Sequence, residues 1–461
     1  MKHLGNKVTD INIAYIGGGS KGWAWGLMND LAQESQLSGN VRLYDINYSA
    51  AHDNEIIGNS LLDNEAVKTE WHYKAVETME AALSCADFVI ISILPGSFNE
   101  MASDVHTPEK YGIYQSVGDT TGPGGLVRAL RTIPLYEEIA EKIKACCPEA
   151  WVINYTNPMT LCTRTLYRVF PQIKAFGCCH EVFGTQELFV KILKEFRGME
   201  VVSRKDIKLN ILGINHFTWV DSASYAGEDI MGVYREFADK YGEHGFEVPS
   251  NEEGENYFKS GHRVAMDLFL RYGLVAAAGD RHLAEFCPPW YLKNPETVKE
   301  WQFSLTPVSY RIKDAEKRTE TARKLVKGEE KLQLHPSGEE GVLQIKALSG
   351  LTEFMTNVNL PNMGQVSGLP LGCVVETNAL FSRNSIKPVI AGKLPDEVNS
   401  LVLRQVINQE AILKAGLTGD RQLAFRAFAN DPLMTASIVD AEKLFKEMLA
   451  NTRKYLHKWD F

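Results

Sequence analysis

Three glycines near the start of the chain have the spacing of a dinucleotide-binding turn. Gly17, Gly19 and Gly22 follow an apolar run, Ile11 to Ile16, that predicts a buried strand, and an amphipathic stretch after them predicts a helix. Asp45 ends a second predicted strand about 20 residues later, where a carboxylate would bind a ribose 2′-hydroxyl and repel a 2′-phosphate. A glycine-rich turn in another α/β protein is the alternative, which the register of strand, glycines, helix and acid disfavours. The sequence therefore predicts NAD as cofactor rather than NADP.

Cys179 and His216 belong to two residue types that bind borderline metal ions. Each comes at or just after the end of a predicted strand, so the two side chains could converge on one edge of a sheet. Their spacing alone does not decide the matter, because an isolated cysteine is more often a small buried hydrophobic residue. The adjacent pairs Cys146-Cys147 and Cys178-Cys179 lack the spacing of zinc fingers.

Two further segments bring charged residues together. Gly118 to Pro134 is a loop entering a helix with Arg128 and Arg131, which could hold an anion at the helix N-terminus; a capped surface helix with solvated arginines is the equal alternative. Ala276 to Phe286 contains several ionisable residues, and burying them side by side would shift their pKa values and suit acid–base chemistry. An internal salt-bridge cluster is the alternative there. The ionisable residues of this second segment are Asp280, Arg281, His282 and Glu285.

The first two hundred residues alternate strand-like and helix-like patterns. This alternation predicts a parallel, doubly wound α/β sheet of the Rossmann type, in which ligands bind at the carboxyl ends of the strands. Later strands are predicted at Phe88 to Leu94, Trp151 to Tyr155 and Ile173 to Cys178, with helices at Leu126 to Ala145 and Met159 to Val169. Polar and reactive residues follow each of these strands, at the edge where a nicotinamide would lie.

The second half of the chain has a different pattern. One more strand, LNILGINH, ends at His216, and mixed helices and strands follow. We predict an NAD-binding Rossmann-like domain over residues 9–204 and a mixed α+β domain over residues 205–461 that binds substrate and metal and mediates oligomerisation. The polar, acidic segments Val248 to Asn256 and Lys327 to Gly341 predict surface loops.

The composition is that of an ordinary soluble globular protein. The chain has 461 residues, 44% of them hydrophobic and 23% charged, with a formal net charge of −9. Lysines and arginines are scattered, so no nucleic-acid partner is expected. The longest apolar runs are too short to cross a bilayer, and the first residues lack the apolar core of a signal peptide. We therefore expect a cytoplasmic protein without a membrane partner, whose eight cysteines are reduced thiols.

Five ordered segments carry a resemblance to a known family. They are the GGGS turn, GDTTGPGG with ALRTIP, NYTNP, CCHEVFGT and GINHFTW. In this order and spacing they resemble the family 4 glycoside hydrolases, from about Ile11 to beyond Glu285. Within that family, NYTNPM, CCHEVFGT and GDRHLAEF most resemble the α-galacturonidases of bacterial pectin breakdown. The resemblance implies a glycosidase that requires NAD and a divalent metal ion, commonly Mn²⁺, and acts on α-galacturonides.

The resemblance also implies an unusual mechanism, since most glycosidases use a pair of carboxylates and this family does not. The nicotinamide removes a hydride from carbon 3 of the sugar, and the metal ion polarises the resulting ketone. A base then removes the proton on carbon 2, and the glycosidic oxygen leaves with help from an acid. Water adds across the alkene and the hydride returns, so the net reaction is hydrolysis.

Residue by residue, the resemblance assigns roles to several positions. Cys179 and His216 match the family's metal ligands. His180 occupies the position of the proposed acid, where some members carry Asp. The carbon 2 base is Asp or Tyr in different members, and Asp280 and His282 are both candidates for it here.

The resemblance also bears on which residues bind the substrate and on which kind of sugar they bind. Asn157 matches a residue that holds substrate hydroxyls. Members that act on phosphorylated sugars tend to carry Arg in the segment that here has Met101, and no basic residue lies between Phe98 and Asp104. This argues against a 6-phosphoglycosidase, because a phosphate dianion needs a cation. A uronic acid needs a cation for its one carboxylate, and Arg128 and Arg281 are the candidates.

Competing functions remain at this point. An α-galactosidase or α-glucosidase of the same family is one. An NAD-dependent 2-hydroxyacid dehydrogenase would explain the stretch from Gly17 to Asp45 but needs no metal-binding cysteine. A non-catalytic NAD-sensing module would have little use for clustered acid–base groups. The resemblance implies a homodimer or homotetramer, although no interface is visible in the sequence.

Overall fold

The computed structural model describes residues 1–248 and 257–459 of the chain. The predicted loop Val248 to Asn256 lies outside the described residues except for Val248 itself. In the described ranges, no helix is both long enough and apolar enough to span a lipid bilayer.

The first half of the chain builds a sheet with helices on both faces, and its strands are parallel except for the short first one, which pairs antiparallel. Its strands are β1 (Lys2–Leu4), β2 (Lys7–Ile16), β3 (Leu37–Tyr44), β4 (Trp71–Val76), β5 (Phe88–Ile91), β6 (Trp151–Asn154) and β7 (Lys174–Gly177). Its helices are α1 (Trp23–Gln33), α2 (Tyr48–Ser60), α3 (Met79–Leu83), α4 (Phe98–His106), α5 (Gly122–Cys146), α6 (Met159–Val169) and α7 (Glu181–Arg197). The parallel strands lie in the order β4-β3-β2-β5-β6-β7. This order confirms the predicted Rossmann-type sheet.

The second half extends that sheet and adds a smaller one. Its strands are β8 (Lys208–Ile214), β9 (Phe217–Tyr225), β10 (Glu228–Asp229), β11 (Val275–Ala276), β12 (Phe354–Pro361), β13 (Val366–Ser367), β14 (Val374–Ser382), β15 (Ser385–Pro388) and β16 (Gly392–Lys393). Its helices are α8 (Met231–Tyr241), α9 (Arg263–Tyr272), α10 (Asp280–Phe286), α11 (Pro295–Glu300), α12 (Val308–Val326), α13 (Gly341–Leu348), α14 (Asp396–Thr418), α15 (Arg421–Ala429) and α16 (Ile438–Thr452). Short 3-10 segments lie at Leu61–Asp63, Pro108–Tyr111, Arg204–Asp206 and Arg453–Tyr455.

The two halves share the large sheet. β12 pairs antiparallel with β7, where Asn359 lies opposite Gly177, and β14 and β15 continue the sheet beyond it. β8 to β11 form a separate antiparallel sheet. The predicted division between residues 204 and 205 therefore separates segments of sequence, while the large sheet joins them.

Alternate residues of β2 enter two different cores. Ile13 and Tyr15 pack in a core that contains α1 and α13, whereas Ala14 and Ile16 pack in a core that contains α3, α5 and α6. β5 is likewise buried along its whole length. Because both faces of the sheet are covered, its inner strands are continuous apolar runs rather than alternating ones. This burial explains why their positions were visible in the sequence.

The parallel strands place the candidate functional segments at one edge. The glycine turn follows β2, Asp45 follows β3, and Asn157 and Cys179 follow β6 and β7. Since the carboxyl ends of parallel strands lie together, these residues share the edge of the sheet where ligands bind in such folds.

Candidate active site

The glycine turn between β2 and α1 has the conformation that a dinucleotide requires. Gly17 has a φ of +90°, and a Cβ placed there would lie 2.0 Å from the carbonyl oxygen of Ser92, so only glycine fits. Gly19 donates its backbone N–H to Asp45 Oδ2 at 2.9 Å. Gly22 is the N-cap of α1, whose first turn carries no acidic residue. The first N–H groups of that helix are therefore placed to bind the oxygens of a pyrophosphate.

Three side chains from distant parts of the sequence meet at the metal group, which consists of Asp119, His216 and His282. One ligand atom of each lies within 4.8 Å of the other two. Asp119 precedes α5, His216 lies in the turn between β8 and β9, and His282 lies in the first turn of α10. The two imidazole centroids are 3.8 Å apart. A carboxylate and two imidazoles form a donor set suited to a divalent transition metal such as Mn²⁺.

A hydrogen-bond chain determines which nitrogen of His216 is free. Thr120 donates its hydroxyl hydrogen to Asp119 Oδ1 at 2.7 Å. Because a threonine hydroxyl has one hydrogen, its 3.0 Å contact with His216 Nδ1 requires the imidazole to donate. Nε2 of His216 is then unprotonated and has a lone pair available for a metal ion.

His282 offers a buried nitrogen without a partner. Its Nδ1 makes no hydrogen bond to any residue that the structure describes, whereas its Nε2 lies 3.6 Å from Glu181 Oε1. Glu181 also accepts the backbone N–H of Gly279 at 2.7 Å, which fixes its position. A carboxylate behind a metal-binding imidazole orients the ring and strengthens its other nitrogen as a donor. The orphaned Nδ1 therefore fits a metal ion, with Glu181 supporting the ring.

All three members of the metal group have the protonation state that metal binding needs. Burial and the adjacent imidazole lower the pKa of His216 to about 3. Burial also lowers the pKa of His282 to about 3, against the opposing charge of Asp119. Burial disfavours the charged form of Asp119, but Arg128 and the two histidines outweigh it and hold the pKa of this carboxyl below its ordinary value. At neutral pH the set is thus one carboxylate and two neutral imidazoles.

A buried acid supports the loop that carries Asp119. Glu285 Oε1 accepts the backbone N–H groups of Val117 and Gly118 at 2.7 and 2.9 Å. Burial raises the pKa of Glu285 to about 8, so this acid is mostly protonated at neutral pH. Glu285 therefore holds the loop in place without competing with Asp119 for a cation.

Asn157 and Arg128 border the metal group. Arg128 is 6% exposed and donates its Nε hydrogen to the carbonyl oxygen of Asn157 at 3.2 Å. Asn157 Nδ2 donates to Asp119 Oδ2 at 3.4 Å, while its Oδ1 is buried and accepts no hydrogen bond within the described part of the chain. Because buried polar atoms normally have partners, this oxygen fits the hydroxyl of a bound sugar.

The helix after this loop matches neither alternative considered for Gly118 to Pro134. Asp431 Oδ2 accepts the N–H of Gly122 at 3.2 Å, so an internal carboxylate meets the N-terminus of α5 in place of an external anion. The helix is also not a solvated surface helix, because Arg131 is fully buried and pairs with Asp104 at 2.9 and 2.5 Å.

Cys179 follows β7, but its sulfur joins no three-residue metal-ligand cluster among the described residues. Burial raises the pKa of its thiol well above the usual value, and the carboxyls of Glu376 and Glu181 add to the effect. Asn357 donates to the Cys179 carbonyl at 3.1 Å and to Glu376 Oε1 at 2.7 Å. Metal binding would require the thiol to lose its proton, so the ligand role of Cys179 stays a prediction.

His180 faces two cavities and is partnered by an acid. Its Nδ1 lies 2.9 Å from Glu339 Oε1, and this hydrogen bond raises the pKa of the imidazole. Its ring centroid lies 6.2 Å from that of Trp23, the first residue of α1. His180 lines two cavities. One, of about 420 Å³, lies beside Glu181, and the other, of about 520 Å³, lies beside the dinucleotide turn. A protonated imidazole at this junction can deliver a proton to a substrate that spans the two.

The segment Lys327 to Gly341 ends in an irregular and mostly exposed loop, as predicted, and Ser337 and Glu339 at its end line the two cavities beside His180. Ser337 donates its backbone N–H to Asp30 Oδ1 at 2.9 Å. Arg204 donates to Glu340 Oε1 at 3.2 Å. These contacts to the first half of the chain are the reason why the segment's end is anchored.

Asp280 and Arg281 begin α10 but have different surroundings. Asp280 Oδ1 accepts a backbone N–H from the first turn of α9 at 3.0 Å, and burial raises the pKa of its carboxyl. Arg281 donates through Nη1 to Thr306 Oγ1 at 2.7 Å and to the Tyr257 carbonyl at 3.1 Å. Of the ionisable residues predicted to act together in this segment, the structure places His282 in the metal group and leaves these two outside it.

Comparison with known families decides what kind of protein carries this site. The family model described as family 4 glycosyl hydrolase matches residues 12–195, and the model of its C-terminal domain matches residues 211–434. The chain is a family 4 glycosyl hydrolase. A relative from Thermoanaerobacterium saccharolyticum, named alpha-galacturonidase, is 65% identical to this hydrolase over 461 residues, which cover 100% of this chain and 99% of the relative.

Solved structures have the same fold as this family 4 hydrolase. The crystal structure of lplD from Bacillus subtilis has a TM-score of 0.91 and 53% identity, and the match covers 96% of this chain and 100% of that one. A 6-phospho-alpha-glucosidase from gut microorganisms, solved with NAD and Mn²⁺, has a TM-score of 0.82 and 18% identity, with 98% and 100% coverage. The family assignment decides against the dehydrogenase and the NAD-sensing module that the sequence had left open.

Sequence reasoning had not singled out several residues of this family 4 hydrolase's site. Asp119 lies within GDTTGPGG and Glu181 within CCHEVFGT, so both were inside motifs that carried the resemblance. Glu339 had no comparable signal, because it lies in a polar segment far along the chain from His180.

Proposed function

We propose that this family 4 hydrolase cleaves α-linked galacturonides. The observation that carries the proposal is the 65% identity to an alpha-galacturonidase over the whole chain. Arg281 supports it, because among the described residues its buried guanidinium donates only to a threonine hydroxyl and a backbone carbonyl. The sugar substrate of an α-galactosidase or α-glucosidase has no carboxylate for this cation to bind.

The proposed cofactors are NAD and a divalent metal ion, with Mn²⁺ the expected one. The turn at Gly17, Gly19 and Gly22 and the carboxylate of Asp45 support NAD. The metal group supports the cation, because it combines a carboxylate, a defined His216 tautomer and the orphaned nitrogen of His282. When bound, the nicotinamide would exchange a hydride with carbon 3 of the sugar, and the metal ion would act as a Lewis acid on the carbon 3 oxygen.

The residues around the metal group would orient the sugar. Asn157 Oδ1 would accept a hydrogen bond from a ring hydroxyl, because it has no partner among the described residues. Arg128 would fix Asn157 from behind through its bond to the Asn157 carbonyl. Placing the hydroxyls of carbons 2 and 3 within this group would bring carbon 3 toward the nicotinamide and leave the glycosidic oxygen facing His180.

His180 is the proposed acid for the departing glycosidic oxygen. Its hydrogen bond with Glu339 favours the protonated imidazole, and its ring lies at the junction of the two cavities. In this arrangement Nδ1 is bound to Glu339, so Nε2 carries the proton that would be delivered.

For the base that removes the proton on carbon 2, we propose Asp280 in preference to His282. His282 is better suited to hold the metal ion, because it belongs to the metal group and its buried Nδ1 has no partner among the described residues. Asp280 Oδ2 has no partner among the described residues, and burial raises the pKa of this carboxyl toward the range in which a base works at neutral pH.

The decisive experiment is hydrolysis of p-nitrophenyl α-galacturonide in deuterated water, with NAD⁺ and Mn²⁺ under reducing conditions. The proposed path breaks the bond between carbon 2 and hydrogen, so the released galacturonic acid should carry deuterium at carbon 2. A galacturonidase that uses two carboxylates never breaks that bond. Product with only hydrogen at carbon 2 would therefore refute the redox mechanism. Failure to cleave α-galacturonides at all would refute the proposed substrate class.

Variants assign the acid and base in the same assay. When the enzyme is incubated with substrate in deuterated water, Asp280→Asn should abolish the exchange of the carbon 2 hydrogen for deuterium. His180→Gln should slow release of p-nitrophenol less than release of a poor leaving group such as methanol, since a poor leaving group needs its proton more. Equal losses for both leaving groups would remove His180 from the role of acid.

A further inference from the structure

One aromatic ring near the site lies beside two arginines. The Cζ atom of Arg281, on α10, is 4.7 Å from the ring centroid of Phe258, and the Cζ atom of Arg311, on α12, is 5.8 Å from it. Two guanidinium groups from different helices thus pack against the same ring. The charge of Arg311 acts unfavourably on that of Arg281, because like charges repel.

Among the residues that the structure describes, neither arginine is paired with an acid. Arg281 donates to a threonine hydroxyl and a backbone carbonyl, both uncharged, and it uses only Nη1 for these bonds among the described residues. Arg311 makes no hydrogen bond or ion pair with any residue in the described ranges, and its side chain is half-buried. In the ranges 1–248 and 257–459, no carboxylate oxygen lies within 4.0 Å of either guanidinium.

The acids that the structure describes near Arg281 are already engaged or uncharged. Burial raises the pKa of Glu285 to about 8, so this acid is mostly neutral when Arg281 is charged. Glu181 supports His282 and Gly279, and Asp119 belongs to the metal group. An anion placed between the two guanidiniums would relieve both the repulsion and the cost of burial.

The other buried arginines, Arg131 and Arg128, already have acidic partners or neighbours. Arg131 is paired with Asp104. Arg128 faces Asp119, whose charge is the strongest favourable influence on it, and its Nε is bonded to Asn157. Arg128 therefore belongs to the metal end of the site, where carbons 2 and 3 of the sugar would lie. The Arg281–Arg311 pair offers planar donors that have no acidic partner among the described residues, and such donors bind a carboxylate bidentately.

We propose that Arg311 and Arg281 together bind the carboxylate at carbon 5 of the sugar, and that Arg311 makes the site selective for uronic acids. This inference rests on the proposed function, since it names the group that distinguishes a galacturonide from a galactoside. The ring of Phe258 packs against both guanidiniums, and the carboxylate supplies a negative charge that no described residue gives the pair. Selectivity arises because a neutral sugar would leave two partly buried cations without a partner.

The test is Arg311→Met, which keeps most of the side chain's length and apolar contact but removes the charge. With holoenzyme, kcat/KM is measured for p-nitrophenyl α-galacturonide and p-nitrophenyl α-galactoside. We expect a loss of roughly 10- to 100-fold on the galacturonide, mainly through KM, and little change on the galactoside. Arg311→Lys should retain part of the selectivity, because it keeps the charge without the planar fork.

A matched control lies on the same helix. Arg323 is 69% exposed and pairs with Glu320, so Arg323→Met should leave both rates unchanged. The thermal shift of the holoenzyme with free galacturonate, galactose and galactose 6-phosphate gives a readout independent of turnover. Galacturonate alone should raise the melting temperature of the parent protein appreciably, and Arg311→Met should reduce that shift.

The outcomes separate this inference from the proposed function. A parent enzyme that does not cleave galacturonides would overturn the proposed function. A parent enzyme that prefers galacturonides, with the same preference in Arg311→Met, would overturn the role of Arg311 and leave the proposed function standing. A larger thermal shift with galactose 6-phosphate than with galacturonate would mean that the pair binds phosphate, and it would also overturn the inference.

Discussion

Asp45 provides the sharpest test of the cofactor assignment, because its carboxylate already has two defined contacts. Oδ2 accepts the N–H of Gly19 at 2.9 Å, and Oδ1 accepts the N–H of Asn47 at 2.9 Å. Each oxygen has a further lone pair, and these lone pairs are what a ribose diol would use. Asp45→Ala removes the two acceptor positions that hold the turn together with the two that would bind the ribose. It should therefore affect both the stability of the turn and the affinity for the cofactor.

The magnitude follows from hydrogen bonds to a charged group, which contribute about 1.5–3 kcal/mol each. Loss of two ribose bonds in Asp45→Ala should weaken NAD⁺ binding by about 3 kcal/mol, or roughly 100-fold, after water takes over part of the contacts at this half-exposed site. Affinity for NADP⁺ should stay constant or rise, because the carboxylate that repels the 2′-phosphate is gone. Asp45→Asn separates charge from shape, since it keeps one acceptor oxygen without the negative charge.

Isothermal titration of both cofactors into the parent protein and the two variants measures these affinities, and thermal unfolding without cofactor measures the cost to the turn. We expect the parent to prefer NAD⁺ clearly, Asp45→Asn to narrow the preference and Asp45→Ala to abolish it. Equal binding of NAD⁺ and NADP⁺ by the parent would refute the assignment. An equal loss for both cofactors in Asp45→Ala would show that Asp45 serves the turn and does not bind the ribose.

Three further predictions concern the metal, the acid and stability. Asp119→Asn should weaken Mn²⁺ binding at least 10-fold in a calorimetric titration. Cys179→Ser should weaken Mn²⁺ binding far more than Cys178→Ser does. A larger loss in Cys178→Ser would contradict the assignment of Cys179 as a metal ligand. Glu339→Gln replaces the carboxylate that accepts from His180 by a neutral amide, which weakens the interaction that raises the pKa of the candidate acid. The alkaline limb of the kcat/KM profile should therefore move to lower pH, and an unchanged limb would contradict that role. Burial raises the pKa of Asp431 to about 6, so the folded protein binds this proton more tightly than the unfolded chain. The free energy of unfolding should therefore fall by about 2 kcal/mol as pH rises from about 4 to about 6, and Asp431→Asn should flatten that loss in denaturant titrations.

The sequence was sufficient for elements whose signals are local. The strand, glycine turn, helix and acid around Gly17 and Asp45 lie close together in the chain, and the structure places them as predicted. The helix predicted at Met159 to Val169 has the same bounds as α6. β4 was not predicted, because its alternating pattern, WHYKAV, is short and bordered by polar residues.

The parts of the site that depend on distant segments could not be derived from spacing. The metal group unites a loop, a β-turn and a helix that are widely separated in the chain, and the partner of His216 in it, His282, had been considered as a base. Arg311 lies in a charged, largely exposed helix with nothing in its sequence to distinguish it from its neighbours. Its significance depends on Arg281 and Phe258, which are brought to it by tertiary packing.

The shared sheet has a consequence for how this protein can be divided. Removing everything after residue 204 would strip β12 from β7 and α13 from the face of the sheet beside Ile13 and Tyr15. The remaining fragment would have a bare strand edge next to a large uncovered apolar surface, a combination that promotes self-association. The nucleotide-binding half is therefore not a module that can be transplanted between relatives by itself, and recombination within the family must exchange it together with the strands that close its sheet.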